Sequence, residues 1–269
     1  MKRFNFIHIF AITLCLTLTV SGGFAQTGEG ENFKPYSGQP GKDVVWVPTP
    51  QVTVDTMLNM AKVTASDYVI DLGSGDGRTV ITAAKRGATA LGIEYNPEMV
   101  ALAKRSAAKE GVSAKATFVE ADLFKSDFSK ATVITMFLLS HINLELRPKI
   151  LDMKPGTRVA SNTFDMADWK ADQTTILTED CPNWCTVYFW VVPAKVDGTW
   201  KLDNGQISFK QEFQNITGTM TQNGKDVQLT GKLDGDKISF NADGTEYAGT
   251  VSGNTISGTR TGGSWKATR

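Results

Sequence analysis

A glycine-rich loop after a short apolar run is the most constraining feature of this chain. The apolar run covers residues 68–72, and residues 78–85 have the pattern of a starting helix. Three glycines occupy alternate positions between them: Gly73, Gly75 and Gly77. This order predicts a strand, a tight loop and a helix N-terminus, where backbone N–H groups face a ligand. A second apolar run, 90–93, ends in Glu94. A carboxylate at that strand end can accept both hydroxyls of a ribose, so the loop is predicted to bind a nucleoside.

The spacing of the glycines distinguishes between classes of nucleoside. A dinucleotide fingerprint requires its third glycine at position 78, where Arg78 stands. From Asp71 onward the chain instead has acid and glycines at alternate positions, closer to the D/E-x-G-x-G-x-G pattern of S-adenosylmethionine enzymes. A third apolar run, 116–120, leads to Asp122, which places another acid at a third strand end.

These three marks resemble the class I methyltransferases. The resemblance implies S-adenosylmethionine as the cofactor, with Gly73, Gly75 and Gly77 beneath its methionine end. It also implies that Asp71 orients the loop or receives the cofactor's amino group through water. Glu94 is expected to bind the ribose, and Asp122 the adenine edge.

Further motifs narrow the resemblance to one family. They are Val47-Pro48-Thr49-Pro50 before the loop, Phe137 to Asn143 after the fourth predicted strand, and Phe164-Asp165-Met166 after the fifth. Together they resemble the family that contains the lysine methyltransferases of the ATP synthase c-subunit and of the adenine nucleotide translocase. The resemblance runs from about Trp46 to Pro193. It implies a protein lysine as the methyl acceptor.

Short apolar runs alternate with helical stretches up to about residue 193. Strands are predicted near 68–72, 90–93, 116–120, 131–137, 158–162, 174–179 and 186–192. Helices are predicted near 52–62, 77–86, 97–110 and 144–152. This alternation predicts an α/β fold with a Rossmann-like, mostly parallel seven-stranded methyltransferase sheet in a domain of residues 44–195. The last strand pair is expected to be antiparallel, as in the class I enzymes.

The character of the chain changes after residue 195. Asn-Gly and Asp-Gly turn signals recur at short intervals and separate alternating segments such as 206–210 and 237–241. Residues 196–269 are therefore predicted to form a small all-β meander of about eight strands that closes into a barrel or curls over its own core. This module either stabilises the protein or docks it to a partner, or it binds a ligand within the barrel.

The N-terminus has the composition of an export signal. A basic head precedes a mostly apolar run, and small residues stand at Gly23 and Ala25, which predicts a signal peptide of residues 1–25 cut after Ala25. Residues 26–43 are expected to form a mobile leader. The protein is then periplasmic or secreted. The alternative is an uncleaved anchor, although the run is short and diluted with polar residues for a membrane span.

Charge and side-chain inventory exclude several function classes. Lys and Arg number 28, as do Asp and Glu, so a nucleic acid partner is not expected. Without the signal segment, one histidine (His141) and two cysteines (Cys181 and Cys185) remain, too few for a zinc site of the usual kinds. The two cysteines either form a disulfide or pack in reduced form.

The acceptor site is expected after the fourth predicted strand. Base methylases often carry an N/D-P-P-Y/F motif there, whereas this chain has an apolar stretch, 136–139, that suits an aliphatic side chain such as lysine. Asp165 either orients the acceptor amine as a catalytic residue or caps the segment that follows it. His141 is either a base or a solvated histidine. The alternative to an enzyme is a non-catalytic exported binding or scaffolding protein that retains the same fold.

Overall fold

The structure is a computed structural model that describes Met1 and residues 33–269. Except for Met1, the predicted signal peptide lies outside the described residues, as does the first part of the predicted leader. None of the helices that the structure describes is both long and apolar enough to cross a membrane.

A seven-stranded sheet lies in the N-terminal part of the described chain, between Tyr68 and Val191. Its strands are β1 (Tyr68–Leu72), β2 (Thr89–Glu94), β3 (Ala116–Glu120), β4 (Val133–Met136), β5 (Arg158–Asn162), β6 (Gln173–Ile176) and β7 (Thr186–Val191). The spatial order is β3-β2-β1-β4-β5-β7-β6. Strands β1 to β5 pair in parallel, while β7 is antiparallel to both β5 and β6. The predicted fold class and its antiparallel final pair are therefore confirmed.

Four helices cover the two faces of this sheet: α1 (Gln51–Met60), α2 (Arg78–Lys85), α3 (Pro97–Lys109) and α4 (Ser140–Leu151). Val69 of β1 packs with α1, α2 and α3, whereas its neighbour Ile70 packs with α4 on the opposite face. Helix α4 begins four residues before the predicted start at 144, because its first turn already contains the buried Ile142 and Asn143.

The C-terminal part of the described chain, from Gly198 to Thr268, is a closed barrel of eight antiparallel strands. They are β8 (Gly198–Leu202), β9 (Gly205–Glu212), β10 (Asn215–Gln222), β11 (Lys225–Asp234), β12 (Lys237–Ala242), β13 (Thr245–Ser252), β14 (Thr255–Arg260) and β15 (Gly263–Thr268). At Asn223-Gly224 both turn residues have positive φ, 51° and 76°, the conformation that favours Asn-Gly in tight hairpins. The predicted meander is confirmed, and it closes through β8 and β15.

Side chains fill the interior of the barrel. The ring of Phe240 stacks on Tyr247 with centroids 4.7 Å apart and meets the edge of Trp265 at 5.4 Å. Trp200 is fully buried, and its indole N–H donates to the carbonyl of Val196. This packing favours a stabilising or docking module over a barrel that holds a ligand.

The turn between β9 and β10 docks the barrel on the sheet. The ring of Phe213 lies nearly parallel to Trp169, with centroids 6.0 Å apart, and the guanidinium of Arg147 lies 5.3 Å from the same ring. The amide of the buried Gln214 donates to the carbonyl of Lys170 at 2.8 Å. The barrel therefore holds the segment that follows β5.

We expect Phe213→Ala to lower the free energy of unfolding by about 2 kcal/mol, because a half-buried ring leaves its contacts with Trp169 and Arg147. Phe213 has a φ of 53°, which glycine adopts without strain, so Phe213→Gly should destabilise less than Phe213→Ala. Urea denaturation of both variants measures the two effects. Equal stability of the wild-type protein and Phe213→Ala would contradict the docking role of the ring.

Candidate functional site

The glycine loop closes onto the end of strand β2. The backbone N–H groups of Gly73 and Ser74 both donate to the carbonyl of Ile93, at 2.9 and 3.0 Å. The loop therefore turns sharply at the carboxyl edge of the sheet, and helix α2 begins directly after it at Arg78.

Two of the three glycines border a cavity, and the third serves packing. A Cβ on Gly75 would lie 2.5 Å from Nε1 of Trp46, and one on Gly77 would lie 2.6 Å from the ring of Phe118. Gly73 and Gly75 line the cavity described below, whereas Gly77 faces the contact between α3 and the sheet. A direct cofactor contact for Gly77 stays a prediction that this geometry does not favour.

Glu94 joins the loop to the turn after β2. One carboxylate oxygen accepts the N–H of Gly75 at 2.9 Å, and the other accepts the N–H of Asn96 at 2.9 Å. Each carboxylate oxygen can accept a second hydrogen bond, so both remain able to receive a hydroxyl. Glu94 is half-buried and lines the cavity, as its predicted role at a ribose requires.

Asp71 is buried at the floor of the cavity. Its carboxylate accepts a hydrogen bond of 2.6 Å from the hydroxyl of Thr135 on the neighbouring strand β4. Burial, reinforced by the nearby carboxylates of Glu94 and Asp76, raises the pKa of Asp71 to about 7. A cationic ligand group would restore the charged carboxylate, which fits the predicted interaction with a cofactor amine.

Asp122 binds a lysine from the N-terminal side of the chain. Nζ of Lys42 lies 3.0 Å from one carboxylate oxygen, and the N–H of Phe124 donates to the other at 3.0 Å. The hydrogen bond from Lys42 is the main reason why the pKa of Asp122 is lowered. The same ammonium lies 5.0 Å from the ring centroid of Tyr95 and 5.9 Å from that of Phe124. Lys42 thus lies beside the carboxylate that is predicted to bind adenine.

Residues 39–49, which we call the strap, form one wall of the cavity. The indole of Trp46 lies against Gly75, and the carbonyl of Thr49 accepts a hydrogen bond of 2.8 Å from the guanidinium of Arg78. The N–H of Trp46 donates to the carbonyl of Gln39 and the carbonyl of Trp46 accepts the N–H of Gly38, which folds the strap back on itself. The strap includes part of the predicted leader, and its place at the site was not foreseen from composition.

The strap and the carboxyl ends of β1, β2, β3 and β4 enclose a cavity of about 1050 Å³, including its mouth. Its lining includes Asp71, Gly73, Gly75, Glu94 and Asp122, which are five of the six predicted cofactor-binding residues. Ser74 also lines the cavity, and its buried hydroxyl, which lies against Gly92, has no hydrogen-bond partner among the described residues. Carboxylates and backbone turns on an otherwise apolar wall fit an amino-acid nucleoside such as S-adenosylmethionine.

Three aromatic rings meet beside the cavity. Phe137 follows β4 and lines the cavity, Phe164 follows β5, and Trp184 lies in the loop between β6 and β7. Their ring centroids are 5.7 to 6.1 Å apart. Phe137 and Phe164 were named from sequence only as parts of longer motifs. Trp184 had no sequence signal, because only the antiparallel return of β7 brings its loop to the same sheet edge.

The loop that carries Trp184 is closed by a disulfide. Cys181 and Cys185 are bonded, with Cα atoms 5.7 Å apart. Of the two alternatives left open by the sequence, the structure therefore has the disulfide.

The two candidates for acceptor chemistry lie outside the cavity lining. Asp165 is half-buried, and its carboxylate accepts the N–H of Ala167 at 3.2 Å, which is a capping contact. His141 is exposed in the first turn of α4. A catalytic role for Asp165 stays a prediction, and the described contacts favour its capping role. Trp169, at the same sheet edge, is fully buried. No group of three or more His, Cys, Asp or Glu side chains suited to a metal ion occurs within residues 33–269.

Comparisons with known proteins agree with this geometry. The family model for the ANTKMT methyltransferase domain matches residues 71–173. A protein-lysine N-methyltransferase of Saccharolobus islandicus is 44% identical over 152 residues, which cover 55% of this chain and 94% of that protein. The human lysine N-methyltransferase of the ATP synthase c-subunit is 34% identical over 131 residues, 48% of this chain and 56% of that protein. The chain thus matches only about half the length of the human relative.

A solved structure extends the comparison to three dimensions. It is an RNA methyltransferase of Salinibacter ruber in complex with S-adenosyl-L-homocysteine, with 43% sequence identity and a TM-score of 0.53. The match covers 56% of this chain and 96% of that chain. The cofactor expected from the glycine loop is therefore confirmed as S-adenosylmethionine.

We expect cofactor binding to weaken as the pH falls below 7. Asp71 has a pKa of about 7 without ligand, so its carboxyl group is increasingly protonated at lower pH. An amine of the cofactor favours the charged form, so binding should release up to one proton, and the affinity for S-adenosylhomocysteine should fall by up to about tenfold per pH unit. Calorimetric titrations between pH 6 and pH 8, on the order of one unit either side of that pKa, measure this dependence.

The matched control is Asp71→Asn, which keeps the side-chain size but does not titrate. This variant should bind S-adenosylhomocysteine more weakly than the wild-type protein at pH 8, which is about one unit above the pKa of Asp71. Its affinity should not change with pH. Equal slopes in the two proteins would show that another group causes the effect.

Proposed function

Because the chain belongs to the ANTKMT family of methyltransferases and is an S-adenosylmethionine-dependent methyltransferase, we propose that its acceptor is the side-chain amine of a protein lysine. The observation that carries this proposal is the apolar wall after β4, where Phe137 and Leu138 line the cofactor cavity. The name of the Saccharolobus islandicus relative supports the same acceptor class.

An apolar wall is suited to a lysine for two physical reasons. The four-carbon stem of lysine packs on apolar surface, and desolvation of the ammonium lowers its pKa. A neutral amine is the form that attacks a methyl group, so burial beside Phe137 and Leu138 promotes the reactive state without a dedicated base. This account does not require Asp165 or His141 to accept the proton.

The residues of the cavity then act mainly by positioning. When bound, S-adenosylmethionine would supply a sulfonium methyl group: the lone pair of the acceptor amine would form the new N–C bond, the C–S electron pair would go to sulfur, and a proton of the amine would leave to water. Glu94 would hold the ribose, Asp122 the adenine edge and Asp71 the amine of the methionine end. Trp46 of the strap covers Gly75 at the wall of the same cavity. Positioning of this kind would account for most of what the protein must contribute.

RNA is the competing acceptor, because the similar Salinibacter ruber structure is described as an RNA methyltransferase. The composition of this chain does not favour RNA, since 28 basic and 28 acidic residues give no net positive charge to follow phosphates. The cavity wall also lacks the N/D-P-P-Y/F motif after β4.

We also propose that the protein acts outside the cytosol, as a methyltransferase unit of residues 44–195 with a docking barrel of residues 196–269. The signal-like segment 1–25 and the bonded pair Cys181 and Cys185 support this location, because disulfides persist in oxidising compartments. The cofactor must then escape or be carried across the membrane. If the segment is retained as an anchor, the catalytic unit faces the cytosol instead.

A labelling experiment tests the acceptor class. The protein from Gln26 onward is incubated with methyl-labelled S-adenosylmethionine and, in parallel, with envelope proteins or total RNA from the source cells. We expect label in methylated lysine after complete acid hydrolysis of the protein fraction, and none in the RNA fraction. Label that nuclease treatment releases, or label in another amino acid, would contradict the proposal. Reactions without the enzyme give the background.

A further inference from the structure

Phe137, Phe164 and Trp184 form a continuous aromatic surface, which we call the aromatic platform. The centroid distances are 5.7 Å between Phe137 and Trp184, 6.0 Å between Phe137 and Phe164, and 6.1 Å between Phe164 and Trp184. The three residues come from three separate loops that follow β4, follow β5 and precede β7. Their convergence is therefore a property of the fold and not of local sequence.

The platform joins the cofactor cavity to the protein surface. Phe137 is half-buried and lines the cavity, whereas Trp184 is 42% exposed. An exposed tryptophan that packs on two further rings is an uncommon surface feature in a protein of ordinary composition. The platform thus provides a path of aromatic faces from solvent to the wall of the cavity.

The loops around the platform are acidic. Residues 163–168 contain Asp165 and Asp168, residues 177–185 contain Glu179 and Asp180, and neither segment contains a lysine or arginine. Asp168 is paired with Arg147, which leaves three carboxylates without an ion pair among the described residues. Negative charge in the loops that carry Phe164 and Trp184 favours the approach of a cation to this surface.

The backbone holds the platform in a defined conformation. Trp184 and Thr163, which precedes Phe164, have positive φ of 62° and 64°, a conformation that non-glycine residues rarely adopt. The disulfide closes the loop around Trp184, and the sulfur of Cys181 lies 3.6 Å from the hydroxyl of Thr53 on α1. These constraints hold the exposed indole against Phe137 and Phe164.

We propose that the aromatic platform is the site that recognises the acceptor lysine, with Trp184 as a specificity-determining residue; this rests on the proposed lysine acceptor. The ring faces bind the ammonium of the incoming side chain and of its methylated products through cation–π attraction. The stem of the lysine passes along Phe137 toward the cavity, where the amine is desolvated. The lysine ammonium is thus bound as a cation at the exposed end of the platform and loses its hydration at the end that lines the cavity.

Direct binding tests the cationic preference without turnover. The protein, saturated with S-adenosylhomocysteine, is titrated with acetyl-trimethyllysine amide and with its neutral isostere, in which carbon replaces the quaternary nitrogen. We expect the neutral compound to bind at least about tenfold more weakly, as observed by NMR shifts of the tryptophan indole signals. Equal affinity for the two compounds, or binding that leaves the Trp184 signal unshifted, would overturn the proposal.

Three variants separate recognition from folding. Trp184→Ala should lose the preference for the cation, whereas Trp184→Phe keeps a ring and should retain much of it. Ile176→Ala, at the end of β6 in the same hairpin and 69% exposed, is the matched control and should behave as the wild-type protein. Unchanged affinity for S-adenosylhomocysteine in all three variants shows that the cofactor cavity is intact.

Kinetics distinguish failure of this inference from failure of the proposed function. With the envelope protein fraction that accepts the methyl label as the substrate, Trp184→Ala should raise the half-saturating concentration of this acceptor by about tenfold. The corresponding value for S-adenosylmethionine should not change. Lysine methylation with an unchanged acceptor dependence would refute the platform and leave the proposed function standing. Methyl transfer to RNA or to another amino acid would refute both.

Discussion

The two hydrogen bonds that the Glu94 carboxylate accepts determine the geometry of the site. They connect the N–H of Gly75 in the glycine loop with the N–H of Asn96 at the start of α3. Because Asn96 caps α3 and Gly75 contacts Trp46, one side chain fixes the loop, the next helix and the strap at a common point. The cavity depends on this junction, since its walls come from segments that are otherwise far apart in the chain.

The barrel extends this arrangement to the acceptor side. Phe213 and Gln214 hold the segment after β5, in which Trp169 and Lys170 lie. Phe164, an aromatic platform residue, is part of the same segment. A barrel whose interior is filled with side chains is rigid, and a rigid support is useful to a site that must position an acceptor to within fractions of an ångström. The barrel thus has a structural reason to be part of a methyltransferase.

The sequence was sufficient for those parts of the fold that depend on local pattern. Strand β1, the glycine loop and Glu94 follow from apolar runs and glycine spacing, and the barrel follows from recurring turns such as Asn223-Gly224. Contacts across long sequence distances could not be predicted in this way. The contact of Lys42 with Asp122 spans 80 residues, and the approach of Trp184 to Phe137 depends on the path of β7 through the sheet. Such contacts follow from tertiary packing, which periodicity does not encode.

Calorimetric titration of the protein from Gln26 onward with S-adenosylmethionine tests the central claim, namely that Glu94 organises a working cofactor site. We expect micromolar affinity for the wild-type protein and a loss of affinity on the order of a hundredfold in Glu94→Ala. The reason is that the charged carboxylate, which accepts hydrogen bonds from the N–H groups of Gly75 and Asn96, is removed. Glu98→Ala removes the same charge from an exposed position in the first turn of α3 and should bind normally. Equal affinities of Glu94→Ala and Glu98→Ala, or no binding by the folded wild-type protein, would contradict the account.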